Sequence, residues 1–90
     1  MEYQDDAHIP RYVISVATRL LSVPAHTLRA YEKAALVKPH RTPGNVRLYS
    51  DEDLRLVQRI AELDKQGINK VGIRVILQME GYLSQQEEKT

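Results

Sequence analysis

Proline placement limits this chain more than any other feature, because all four prolines fall within its first 43 residues. A helix interior does not accept proline, which lacks an amide hydrogen and clashes with the preceding turn. Pro10 therefore ends an N-terminal arm over residues 1–11, expected to be flexible. Ser22-Val23-Pro24 separates two short helical stretches, and Pro39 and Pro43 enclose a third segment that cannot be helical. The first stretch, residues 15–21, places Val16, Ala17, Leu20 and Leu21 on one stripe, with Ser15 as its expected N-cap. The second, residues 25–34, opens after Pro24, which is tolerated at a helix start. It turns Leu28 inward and Tyr31 partly so. Val37 to Val46 reads as a small hairpin turning at Gly44-Asn45, with Arg47-Leu48-Tyr49 as the returning strand.

Beyond position 49 the punctuation changes to capping residues. Ser50 is an N-cap, and Asp51, Glu52 and Asp53 fill the first turn, where the helix dipole favours acids. Tyr49 and Leu54 stand at hydrophobic-staple spacing. This third helix runs to about Gln66, burying Leu54, Val57, Ile60, Ala61 and Leu63, and Gly67 suits the residue after its end. Asn69 caps a fourth helix, for which Val71, Ile76, Leu77 and Met79 are the expected core and Ile68 and Ile73 the staple. A short polar tail follows over residues 81–90. The expected fold is mainly α: helix, turn, helix, a two-stranded hairpin, and two further helices.

Ninety residues suffice for one domain. Without Trp or Phe, the core must come from Leu, Ile, Val, Ala and some of the five Tyr. Such a core is small, and a partner subunit fits that limit. The absence of Cys excludes disulfides and thiolate metal sites. His8, His26 and His40 share no helix face at ligand spacing, and Asp51 and Asp53 are accounted for by the helix start. No nucleophile stands beside a base, so an enzyme is not expected and no cofactor is indicated. No apolar run approaches membrane-spanning length, and Glu2, Asp5 and Asp6 open the chain with −3 rather than a signal peptide's basic start. The expected compartment is the cytoplasm.

The net charge of +1 conceals a segregation. Residues 7–50 carry Arg11, Arg19, Arg29, Lys33, Lys38, Arg41 and Arg47 against Glu32 alone, a local excess of +6. A concentrated basic stretch suits a polyanion. In a helix-turn-helix the second helix lies in the major groove and reads base edges from its N-terminal part. Here that helix presents His26, Arg29 and Lys33, with Thr27 near its start. Arg29 can donate two parallel bonds to guanine or clamp a phosphate, or else rest on the surface paired with Glu32. Arg41, Thr42, Asn45 and Arg47 crowd the hairpin, as a wing touching the flanking backbone or minor groove would require.

Four blocks carry a family likeness: Ile14-Ser15-Val16-Ala17, Thr27-Leu28-Arg29-Ala30-Tyr31-Glu32, Leu36-Val37-Lys38-Pro39, and Arg47-Leu48-Tyr49-Ser50-Asp51-Glu52-Asp53-Leu54. In order and spacing they resemble the DNA-binding domain of the MerR family of transcriptional regulators, over residues 12–79. The opening block, the Arg41-Thr42 wing and Gly67-Ile68-Asn69 look most like that family's heat-shock repressor branch. The resemblance implies a MerR-type winged helix-turn-helix domain over residues 12–80. It further implies a homodimer on inverted-repeat operators in double-stranded DNA before chaperone genes, with a DnaK-type chaperone as co-repressor. Carried over by position, Arg29 and Tyr31 become recognition-helix contacts, and Arg47 and Tyr49 become contacts or buttresses of the wing. For both tyrosines a buried ring with a local hydrogen bond is the competing reading.

The chain departs from the family pattern at three places. Ala35 stands where the family usually has Gly, and a left-handed alanine costs about 1 kcal/mol. Pro24 replaces the usual capping Ser, leaving the second helix without a side-chain cap. The family generally dimerises through a further long helix, and Gly81 to Thr90 would span at most about 15 Å as helix, so no such helix is expected from these residues. Dimer contacts therefore fall to Met79, Tyr82 and Leu83 or to another surface. Two other functions fit the same residues. One is a nitrogen-response regulator of the same family partnered by a metabolic enzyme. The other is a MerR-like adaptor that binds a J-domain co-chaperone and no DNA, which would bury Arg29, Arg41 and Arg47 in acid pairs.

Overall fold

The computed structural model describes residues 6–84. The first five residues of the expected arm and the last six of the expected tail lie outside them. After a single 3-10 turn at Asp6–His8, the chain forms β1 (Tyr12–Val13), α1 (Ile14–Leu21) and α2 (Ala25–Lys33). It continues through β2 (His40–Arg41) and β3 (Arg47–Tyr49) into α3 (Asp51–Lys65) and α4 (Lys70–Met79). No helix among the described residues is long and apolar enough to cross a membrane.

The hairpin is the expected pair β2–β3, but the sheet has three strands in the order β1-β3-β2, all antiparallel. Tyr12 pairs with Tyr49 and Val13 with Leu48 on one side of β3, while His40 pairs with Leu48 and Arg41 with Arg47 on the other. A two-residue strand leading straight into a helix has no alternation to reveal it. Its pairing partner lies more than thirty residues away. Residues 6–11, expected in the flexible arm, are likewise tied down. His8 Nδ1 meets Glu52 Oε1 at 2.8 Å, and the Arg11 amide donates to the Tyr49 carbonyl at 3.0 Å.

Local chemistry explains most helix ends. Ser50 Oγ accepts from the Asp53 amide and the Asp53 carboxylate accepts from the Ser50 amide, each at 3.0 Å, a full capping box. Gly67 sits at φ +87° just past the end of α3, where a side chain would be strained. Asn69 Oδ1 accepts from the Gly72 amide at 2.9 Å. At α1 the expectation is corrected. The helix begins at Ile14 with Val13 as its N-cap and no side-chain cap, so Ser15 already lies within the first turn. Pairing of Val13 with β3 sets that entry direction instead.

One core unites every helix and β3: Ala17, Val23, Leu28, Tyr31, Leu36, Val37, Tyr49, Val57, Ile60, Leu63, Ile73 and Leu77. Leu20, on the expected apolar stripe of α1, is 58% exposed, and two residues of α4 assigned to the core from periodicity do not belong either. Val71 is 74% exposed and Met79 76% exposed, because α4 packs on α3 through Ile73 and Leu77. Gln78 takes an inward position that its polarity had concealed.

Candidate nucleic-acid interface

Three residues of α2 share its outer face. His26, Arg29 and Lys33 are spaced three and four apart, so they stack on one side of the helix, and all three are exposed. Arg29 and Lys33 make no hydrogen bond or ion pair among the described residues, which leaves both charges available to a ligand. Thr27, also expected at this surface, is half-buried. Pro24 is the N-cap and offers no side-chain acceptor, as its chemistry requires; its carbonyl accepts from the Thr27 and Leu28 amides instead.

Beside this face stands the wing. Thr42, Pro43, Gly44 and Asn45 make its turn: the Asn45 amide donates to the Thr42 carbonyl at 2.8 Å, and the Thr42 amide to the Val46 carbonyl at 2.9 Å. Asn45 is left-handed at φ +68°, which is the three-residue hairpin loop with a left-handed closing residue. Thr42 Oγ1 accepts from the Val46 amide at 3.1 Å. Thr42 and Asn45 thus shape the turn, and Arg41 braces it by donating to both the carbonyl and Oδ1 of Asn45, each at 3.1 Å.

What joins helix to wing is Glu32. It lies on α2 one turn beyond Arg29 and accepts from Arg47 Nε at 2.6 Å. Arg41 Nη2 reaches its two oxygens at 3.3 and 3.2 Å. Arg41 and Arg47 are cross-strand partners, and like charges placed directly opposite destabilise a sheet. A single carboxylate between them removes that repulsion. Burial opposes ionisation of Glu32, but the hydrogen bonds from Arg47 and Arg41 outweigh it and hold the carboxyl below the ordinary range. Both arginines keep a solvent-facing part, 36% of the Arg41 side chain and 21% of Arg47.

The two tyrosines assigned to the site turn away from it. Tyr31 is buried and donates its hydroxyl to Asp64 Oδ2 at 2.9 Å, which fixes α2 to α3. Its inward ring corrects the reading as a recognition-helix contact. Tyr49 is wholly buried under the sheet, so it is a buttress of the wing and not a surface contact; its hydroxyl has no hydrogen-bond partner among the described residues. Burial raises the pKa of both phenols.

Two residues outside the expected site also shape this face, and Glu32, weighed from sequence as a partner for Arg29, engages Arg41 and Arg47 instead. Glu32 had one visible signal, being the lone acid among seven bases between residues 7 and 50. Arg74 of α4 had none. Its Nη2 donates to the carbonyls of Ala34 at 2.6 Å and Ala35 at 3.1 Å, supplying a cation to the C-terminal end of α2. The Ala35 backbone there is left-handed at φ +61°, as its place in the pattern suggested. Of the residues named for dimer contact, Met79 and Tyr82 are exposed, while Leu83 packs against the core.

Comparison with known proteins agrees with this geometry. The profile of the MerR HTH family regulatory proteins matches residues 12–80. The chain is 38% identical over 84 residues to the putative heat shock protein HspR of Streptomyces coelicolor, covering 92% of this chain and 56% of that one. It is 37% identical over 76 residues to the HTH-type transcriptional regulator GlnR of Bacillus anthracis, covering 84% and 59%. The chain thus spans a little under three-fifths of the curated relatives it matches. Among solved structures, HiNmlR, a MerR family regulator lacking the sensor domain and bound to promoter DNA, superposes with a TM-score of 0.71. That match covers 87% of this chain and 60% of the other at 23% identity, a likeness of fold.

Proposed function

The chain belongs to the MerR family of helix-turn-helix regulatory proteins, and from that membership we propose that it represses chaperone genes by binding their operators directly. In this reading two copies place their α2 helices in successive major-groove half-sites of an inverted repeat, and the wings reach the flanking backbone. Arg29 reads a base edge, His26 and Thr27 lie near the groove floor, and Lys33, Arg41 and Arg47 meet phosphates. The observation that carries it is the unpaired Arg29–Lys33 face with a basic wing fastened to its side.

The heat-shock assignment rests on the 38% identity with HspR, and the same proposal takes a DnaK-type chaperone as co-repressor. GlnR matches almost as well, which supports the alternative of a nitrogen-response regulator partnered by a metabolic enzyme. For the homodimer, α4 supplies Val71, Val75 and Met79, spaced four apart and all exposed, with Tyr82 beyond them. One observation favours the adaptor reading, since Arg41 and Arg47 are both engaged by an acid. Arg29 and Lys33 have no such partner among the described residues, and an adaptor would not need both charges exposed.

Fluorescence anisotropy with a chaperone-promoter fragment, with and without DnaK, tests the scheme. Binding that tightens with DnaK and weakens steeply with salt is expected, about 0.9 in log K per log salt for each phosphate contact. Arg29→Ala should cost operator over random DNA about 5- to 100-fold in discrimination. Salt-insensitive binding, or none to any duplex, would leave the adaptor reading.

A further inference from the structure

The two arginines of the wing are already occupied. Arg41 and Arg47 stand opposite each other across β2 and β3, and Glu32 takes hydrogen bonds from both. Three charges thereby present a net +1 where the wing alone would present +2. Elsewhere between residues 7 and 50 every ionised side chain is basic. Glu32 lies inside α2, where it caps nothing; its carboxylate offsets the repulsion between the two wing arginines and keeps 21% of the side chain open to solvent.

We propose that Glu32 is a specificity-determining residue, an internal stand-in for phosphate that restrains the wing from gripping duplex of any sequence. The proposal rests on the DNA-binding reading above. A carboxylate and a phosphodiester compete for the same guanidinium donors, and both form charge-assisted bonds with them. On random DNA the phosphates have no favoured register, so Glu32 keeps the arginines and cancels one of their two charges. On an operator, α2 seated in the groove brings specific phosphates against the wing, and the exchange becomes worthwhile. Non-specific affinity is almost wholly electrostatic, so one internal negative charge lowers it more than it lowers operator affinity.

The test is Glu32→Gln, which preserves shape and removes the charge, compared with Glu32→Asp, which retains the charge on a shorter arm. Anisotropy is followed for a random duplex and for the promoter fragment across a salt series. For Glu32→Gln the random-duplex slope should steepen by about 0.9, and its affinity at about 0.1 M salt should rise roughly five- to tenfold. The promoter complex should gain less, so discrimination falls. Glu32→Asp should keep the slope of the unmodified protein. A misfolded variant loses affinity for every duplex, so a gain cannot arise from damage. An unchanged or shallower random-duplex slope in Glu32→Gln overturns the proposal, as does an equal gain in Glu32→Asp. Failure of the DNA-binding reading itself would show in the unmodified protein, as no salt-dependent binding to any duplex, and overturns both.

Discussion

Tyr31 of α2 donates its hydroxyl to Asp64 Oδ2 near the end of α3 at 2.9 Å, a part-buried bond between a core ring and an exposed carboxylate. The bond fixes the roll of α2 about its axis. With Leu28 and Tyr31 both directed into the core, His26, Arg29 and Lys33 have no direction left but outward.

Tyr31→Phe should therefore lower stability while leaving DNA binding intact. Removing a hydrogen bond whose acceptor remains in contact with water costs about 1 kcal/mol. In a domain of this size that is a fall of about 4–8 °C in Tm. Loss of DNA affinity at unchanged Tm would instead assign the hydroxyl to a phosphate.

Ala35→Gly should stabilise the protein. Ala35 holds φ +61° at the exit of α2, a conformation that costs an alanine about 1–2 kcal/mol. The greater freedom of glycine in the unfolded chain takes back about 0.4–1 kcal/mol. A net gain of about 0.5 kcal/mol should appear as a rise of about 2–4 °C in a thermal scan. Destabilisation would mean that the Arg74 bonds to Ala34 and Ala35 depend on the alanine side chain.

Alkaline pH should weaken the fold. The phenol pKa is raised at Tyr31 by burial and the Asp64 hydrogen bond, at Tyr49 by burial, and at Tyr12 by its hydrogen bond to Asp51 and then by burial. Below the ordinary value near 10 these phenols are neutral in both states, and their contribution to stability is fully present. Above it the unfolded chain sheds protons that the folded chain retains, so stability falls as pH rises. Tyrosinate absorbance should show the Tyr31 and Tyr49 phenols ionising only together with loss of helical circular dichroism. Full titration in the folded state would contradict the burial.

The proposed homodimer is tested by Val71→Glu with Met79→Glu, which should sediment as a monomer where the unmodified protein sediments as a dimer. Both side chains are exposed on one face of α4, so the exchange leaves the core untouched and Tm of the monomer unchanged. Persistence of a dimer would move its interface off α4.

Little of the interface required long-range knowledge to be found, but much of it did to be understood. Arg29 and Lys33 were legible because helical spacing alone places them with His26. Arg41 and Arg47 were legible as wing residues, yet their engagement with Glu32 depends on how closely the hairpin folds back on α2. Tyr31 and Tyr49 could have faced either way from sequence, because a tyrosine suits both a core and a phosphate.

By itself the sequence determined whatever is settled within a few residues. The Ser50–Asp53 box, the Asn69 cap, the Gly67 exit and the turn at Asn45 are written in adjacent positions, since caps and turns are satisfied by near neighbours. Tertiary structure alone decided β1 against β3, Tyr31 against Asp64, Arg74 against the end of α2, and which stripe of α4 stays bare. Each of those joins residues thirty or more positions apart, or is fixed by elements that do. Only the packed core brings such groups within reach, and no local propensity encodes the meeting.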